Sequence, residues 1–257
     1  MAGLPSSSWI SHHRPNAETR LRLFCFPYAG GGVASFRTWQ NHLPEEIEVC
    51  SILLPGRESR LREPPFERLP PLVMTLAAII RPWLDKPFAF FGHSMGALIC
   101  FELARRLRQS FNLVPHHLFV SGRAAPQLGC ARPPIHALPQ EAFIQELRHM
   151  NGTPEEVLRN EELMALMLPT LRADFAVCEN YVYTPDSVLD CPISAFGGDD
   201  DPRVGTDEIA AWRDQTSKPF TLQMFPGNHF FIHSAALELL IVIGESLSAL
   251  LNGDLAG

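Results

Sequence analysis

The pentapeptide Gly92-His93-Ser94-Met95-Gly96 constrains this chain more than any other feature, because of what stands on either side of it. Before it, Pro87-Phe88-Ala89-Phe90-Phe91 is a short apolar run that reads as a buried strand. After it, apolar Leu98, Ile99, Phe101, Leu103 and Leu107 recur at helical spacing, among polar Arg105, Arg106 and Arg108. A chain passing from strand to helix through G-x-S-x-G must turn very tightly, and the glycines permit it. The serine is then lifted clear of the sheet, where its oxygen can meet both a base and a substrate carbonyl. The N-terminal N–H groups of the helix, with its positive dipole end, face the place where an oxyanion would develop. An ordinary strand-to-helix turn is the bland alternative, and it does not explain why the pentapeptide sits between these two flanks.

Such a serine is inert without a base and a group to orient that base. In chains built around this turn the acid and then the histidine follow the serine, each on a loop after a later strand. Residues 191–196 read as one such strand, with Gly197-Gly198-Asp199-Asp200-Asp201-Pro202 leaving it. Residues 220–225 read as the last strand, followed by Pro226-Gly227-Asn228-His229. His229 therefore stands where a general base belongs. For the acid, counting G-x-x-D from Gly198 gives Asp201, and counting from Gly197 gives Asp200. Asp201, followed by Pro202, is favoured, with Asp200 the alternative; the remaining aspartates read as turn formers or helix N-terminal anions.

Strand and helix alternate along most of the chain. Strands are expected near 21–26, 47–54, 87–92, 116–122, 191–196 and 219–225, and helices near 35–43, 69–84, 95–109, 207–216 and 233–251. Parallel strands need crossover helices of this length, so the fold class is α/β with a mostly parallel, doubly wound sheet. Between Arg123 and Thr184 the alternation stops. That stretch carries Pro126, Pro133 and Pro134, then helical patterns over 140–150, 154–167 and 171–181. It is too long for one crossover and reads as a helical lid, 125–184, over a core made of 21–124 and 185–257. Most of its apolar positions, Leu147 among them, pack it on the body, while Met164 and Phe175 are examples placed on its inner face. Some must roof the space above Ser94, where methionines make an adaptable apolar surface.

Five segments give the chain a specific resemblance. Phe26-Pro27-Tyr28-Ala29-Gly30-Gly31, Leu54-Pro55-Gly56-Arg57-Glu58, Phe91-Gly92-His93-Ser94-Met95-Gly96, Leu171-Arg172-Ala173-Asp174 and Gly227-Asn228-His229-Phe230-Phe231 resemble the type II, or editing, thioesterases of polyketide and non-ribosomal peptide assembly lines. The resemblance runs in order over most of the chain and implies the α/β-hydrolase fold. It implies a Ser94–His229–Asp201 triad, and an oxyanion hole made of the Ala29 and Met95 N–H groups. It further implies hydrolysis of short or aberrant acyl groups from the phosphopantetheine arm of an acyl or peptidyl carrier protein, with no cofactor. Asn228 replaces a second glycine common in the family, and asparagine tolerates a left-handed backbone. Arg57, Arg60, Arg62 and Arg68 cluster after the second core strand; Arg57 and Arg60 are candidate contacts to the carrier or its phosphate. An exposed solvated loop is the equal alternative, as is an Arg57–Glu58 ion pair. Two other classes stay open: a medium-chain fatty acyl thioesterase or general carboxylesterase, and a non-enzymatic assembly-line partner.

Composition narrows the setting. A chain of 257 residues suits one α/β domain, and the net charge of −7 argues against a nucleic-acid partner. Gly30-Gly31-Gly32 fits no dinucleotide fingerprint. The longest apolar helix, 230–251, is interrupted by His233, Glu238 and Glu245 and reads as core, not as a membrane span. Residues 1–20 lack a signal-peptide core and read as a loose tail. The six cysteines form no C-x-x-C pair and read as reduced, buried thiols, so a cytoplasmic protein is expected. His229 and His233 lack a third metal ligand, so no metal is expected. His93 reads as packing under the turn, and His116, His117, His136 and His149 as surface or satisfied structural residues. A monomer is the working expectation.

Overall fold

The computed structural model describes residues 7–12, 18–129 and 132–253. Seven strands form one sheet: β1 Ile10–His12, β2 Leu21–Phe26, β3 Ile47–Ile52, β4 Phe88–His93, β5 His117–Ser121, β6 Ile193–Gly198 and β7 Phe220–Phe225, in the order β1-β3-β2-β4-β5-β6-β7. β1 is antiparallel to β3 and every other pair is parallel. β2 to β6 are buried at every position, as near-continuous apolar strands must be when helices cover both faces of a sheet. Alternation along the strands sends Phe24, Phe26, Phe88 and Phe90 into one core, and Leu23, Cys25, Ala89 and Phe91 into the other.

The first core is closed by α1 Leu69–Ile80 and α2 Met95–Phe111, the second by α8 Ala236–Gly253. By length and composition α8 could cross a membrane, yet Leu239, Leu240, Ile243 and Leu247 are packed in the second core. The remaining helices are α3 Gln140–His149, α4 Glu155–Leu158, α5 Glu161–Glu179, α6 Thr206–Ala210 and α7 Phe231–Ser234. Charged residues inside strands are paired: Arg22 of β2 donates to Glu48 of β3 at 2.8 Å and to the Trp83 carbonyl at 2.6 Å.

Four expectations need correction. The tail is not uniformly loose: Ile10–His12 form an edge strand on β3, and Trp9 lies 3.9 Å from the Arg60 guanidinium. Apolar Trp9 and Ile10 cover an edge that would otherwise stay open; residues 1–6 and 13–17 lie outside the described residues. The expected helix at 35–43 is two 3-10 turns, Val33–Phe36 and Trp39–Asn41. Phe36 and Trp39, three residues apart, meet edge to face and both pack on Phe91. In the segment expected as a lid, the second expected helix is split into α4 and the start of α5, and α5 runs on through Pro169 to take in the third. The bond lost there belongs to the Ala165 carbonyl; Ala165 and Pro169 are both exposed, so water replaces it. Finally, the last helix is broken at Ala235 into α7 and α8.

The turn from β4 into α2 works only because α2 lies almost on the sheet. A Cβ at Gly96 would stand 2.1 Å from the Phe26 carbonyl oxygen of β2, and one at Gly92 would stand 2.2 Å from the Gly96 carbonyl. Both obstacles are backbone and neither can rotate away. Gly96→Ala should therefore lower unfolding stability in urea by about 3 kcal/mol or more; an unchanged denaturation midpoint would show that α2 is not clamped to β2.

Candidate active site

Ser94 joins β4 to α2 with φ 54° and ψ −109°, a backbone that non-glycine residues rarely adopt. Its N–H donates to the Ser121 carbonyl at 2.7 Å, which anchors the turn to the end of β5. The side chain is half-buried at the floor of a cavity. Met95 begins α2, so its N–H has no partner within the helix and points out at the helix N-terminus. Ala29, on the loop after β2, lines the same cavity.

His229 reaches that cavity from the loop after β7. Its Nδ1 lies 2.7 Å from Asp201 Oδ2; the imidazole is 8% exposed and the Asp201 side chain 0%. The other carboxylate oxygen accepts the Arg203 N–H at 2.8 Å. Asp200 is exposed, and its N–H donates to the Gly227 carbonyl. Asp199 and Asp200 tie this loop to the one carrying His229 through their backbones alone. Of the two acids open from sequence, Asp201 is the one brought to His229. The left-handed residue before the histidine is Gly227, with φ 120°, and not Asn228. The Asn228 side chain instead accepts the Phe230 N–H at 2.8 Å, so its substitution for glycine supplies a turn-holding acceptor.

The loop carrying Ala29 is held from α5. Asp174 Oδ2 accepts the Gly30 N–H at 2.8 Å, and Asp174 Oδ1 lies 2.7 Å from Arg57 Nη2. Arg57 Nη1 donates to the Gly31 carbonyl at 2.8 Å, and Thr170 of α5 donates to the Gly56 carbonyl at 2.6 Å. This corrects two of the readings of the arginines, a solvated loop and an Arg57–Glu58 pair. Arg57, 7% exposed, faces inward and pairs with Asp174. Arg60, 5% exposed, donates to the Leu53 carbonyl, pairs with Glu63 and stacks on Trp9. Asp174 had been noticed only as part of a motif. The signal that marks it is an acid between the buried residues Leu171, Ala173 and Val177 of α5.

His93 sits beneath the turn, fully buried, with Nδ1 2.9 Å from Ser121 Oγ. Burial first, and then the neighbouring His229, push its pKa well below the usual histidine range, so the ring is neutral. His117 is buried, stacked on Phe119, with its pKa lowered by burial to about 4. His136 meets Glu179, whereas His116 and His149 are exposed. His233 lies 2.9 Å from the Tyr28 hydroxyl. Among the described residues no group of three metal-ligating side chains is assembled.

The cavity has a volume of about 560 Å³ and is lined by Ser94 and His229 together with apolar Ile135, Leu138, Met150 and Phe175. Of the two side chains singled out for the roof, Phe175 lines it, whereas Met164 is buried inside the helical segment's own cluster with Phe143 and Leu147.

A strand-turn serine, a histidine held by a buried carboxylate and outward N–H groups over an apolar chamber define a serine hydrolase arrangement. A family model described as a thioesterase domain matches residues 21–246, and the chain belongs to that family. Gramicidin S biosynthesis protein GrsT of Aneurinibacillus migulanus is 51% identical over 245 residues, covering 95% of this chain and 96% of that protein. Thioesterase PikA5 of Streptomyces venezuelae is 39% identical, covering 94% and 86%. Among solved structures, the type II thioesterase BorB from the borrelidin biosynthetic cluster matches with a TM-score of 0.86 at 38% identity, covering 95% of this chain and 99% of that one. The type II thioesterase resemblance and the α/β-hydrolase fold both hold.

The Arg57–Asp174 pair carries a test. Asp174→Ala would leave a buried guanidinium without its carboxylate and free the Gly30 N–H, so stability should fall by about 3–5 kcal/mol in urea unfolding. A loss below about 1 kcal/mol would mean that the pair holds nothing together.

Proposed function

We propose that this protein is a serine thioesterase that releases acyl groups from the phosphopantetheine arm of acyl or peptidyl carrier proteins in polyketide or non-ribosomal peptide assembly. The observation that carries the chemistry is the His229–Asp201 pair opening onto the same cavity as Ser94. The carrier-bound substrate is supported by the relatives, whose names place them in antibiotic biosynthesis.

In the reaction, His229 takes the Ser94 proton as Ser94 Oγ attacks the thioester carbonyl. Asp201 keeps the imidazole in the tautomer that presents its free nitrogen, and stabilises the imidazolium that forms. The N–H groups of Ala29 and Met95 hold the oxyanion; removing one such donor typically costs about 3 kcal/mol of transition-state stabilisation. The thiol of the arm leaves, an ester remains on Ser94, and a water deprotonated by His229 cleaves it to the free acid. Thiolate is a good leaving group, so its protonation is not demanding. Residues 125–184 act as a lid, with Phe175 and Met150 shaping the acyl space. The described cysteines are all free thiols, which suits a reducing cytoplasm; Cys130 lies outside the described residues.

Acyl-carrier hydrolysis, followed by intact-protein mass spectrometry, tests this reading. The wild-type protein should strip short acyl groups from the carrier faster than it cleaves a simple ester of equal chain length. Ser94→Ala should abolish turnover, on the order of 10⁴-fold or more. Asp201→Asn should lose about 10²–10⁴ in kcat, and Asp200→Asn less than about threefold. Equal losses at the two aspartates would remove Asp201 from the triad, and preference for the simple ester would make this a carboxylesterase.

A further inference from the structure

Three guanidinium groups border the cavity that holds Ser94, and the acyl-transfer chemistry uses none of them. Arg123 follows β5, Arg132 lies further along the same connection, and Arg203 stands two residues beyond Asp201. They are close enough to feel one another. The pKa of Arg203 is lowered, by burial first and then by Arg132 and Arg123, with Asp201 the main opposing charge. Asp201 is already engaged with His229. Arg132 donates to the Pro202 carbonyl at 2.7 Å, and the Arg123 guanidinium lies against the Cys178 thiol.

Carboxylates line the cavity too, but two of the three have backbone partners. Glu179 accepts the Ile135 and His136 N–H groups, each at 3.0 Å, and meets His136 Nδ1 at 2.6 Å. Glu208 accepts the Gly205 N–H at 2.8 Å. Glu146 reaches the cavity from α3. Cations crowded in a chamber otherwise walled by Ile135, Leu138, Met150 and Phe175 are costly until an anion joins them. A guanidinium matches a carboxylate through two parallel hydrogen bonds, which gives direction as well as charge. A purely apolar acyl chain would bring no counter-charge to these groups.

We propose that Arg123 and Arg203 form a carboxylate subsite in the acyl cavity, so that acyl groups ending in a carboxylate are among those the enzyme removes. The proposal rests on the thioesterase reading for the reaction it serves. The arm's phosphate is the other anion such groups could bind, and the experiment separates the two.

The experiment compares succinyl, glutaryl and adipyl thioesters of N-acetylcysteamine, which carries no phosphate, each with its neutral methyl-branched isostere. In the wild-type protein at least one dicarboxylic thioester should match or exceed its isostere in kcat/KM. Arg123→Gln and Arg203→Gln should each lower that value about tenfold or more, and Arg123→Gln should change the isostere's by less than about threefold. Discrimination of tenfold or more against all three charged substrates overturns the proposal, and so does an equal loss on both series. Neutral thioesters of pantetheine with and without the 4′-phosphate complete the set. A loss confined to the phosphorylated arm would assign the arginines to that phosphate and overturn the carboxylate subsite. Calorimetric binding of free glutarate to the Ser94→Ala protein reads the subsite without turnover: binding weakened about tenfold by Arg123→Gln upholds it, and no binding sinks it. Glutarate binding without thioester cleavage in the wild type would instead sink the thioesterase reading.

Discussion

The whole molecule is arranged around one crossing, where α2 leaves the end of β4 at Ser94 and lies back across the sheet. Ser94 takes φ 54°, and such a backbone persists only where its surroundings over-determine it. They do so through Gly92 and Gly96, whose missing side chains let α2 approach β2 and β4 at backbone distance. The Ser94 N–H bond to the Ser121 carbonyl ties the turn to β5, and His93 fills the space below. A neutral His93 matters here, because a cation beneath the turn would disfavour the imidazolium that His229 must become. At this turn the strained backbone falls on Ser94, the residue proposed as the nucleophile.

A second constraint links what at first look like separate parts. The helical segment that roofs the cavity and the loop that carries Ala29 share Asp174: one oxygen of its carboxylate holds Gly30 and the other holds Arg57. Arg57 in turn holds the Gly31 carbonyl. A displacement of α5 would therefore pull on the residue next to the oxyanion donor. The helical segment and the loop carrying Ala29 are thus tied to each other through Asp174.

The mostly parallel sheet, the positions of its core strands and the loops carrying Ser94 and His229 were legible in the sequence, because each rests on a local pattern: buried apolar runs, a strand-turn-helix signature and a glycine-containing turn before the last helix. Asp201 was separable from Asp200 only by counting, since both belong to one loop; their difference is burial, a side chain 0% exposed against an exposed one, and burial is a tertiary property. The edge strand at Ile10–His12 was missed because three residues carry no periodicity of their own and take their conformation from β3. The arginines were misread for a similar reason. A proline-rich loop with four arginines looks solvated, yet the partners that bury Arg57 and Arg60, Asp174 and Trp9, lie far away in the chain. The continuity of α5 from 167 to 171 was not legible, because the cost of Pro169 depends on whether Ala165 faces water, which the local sequence does not state.

The account turns on an ester at Ser94, and that ester can be observed. An acyl-pantetheine thioester is mixed with the protein, quenched within milliseconds, digested and analysed by mass spectrometry. The peptide containing Ser94 should gain the mass of the acyl group, and it should gain none in Ser94→Ala. Acylation at another residue, or hydrolysis that continues undiminished in Ser94→Ala, would contradict the account.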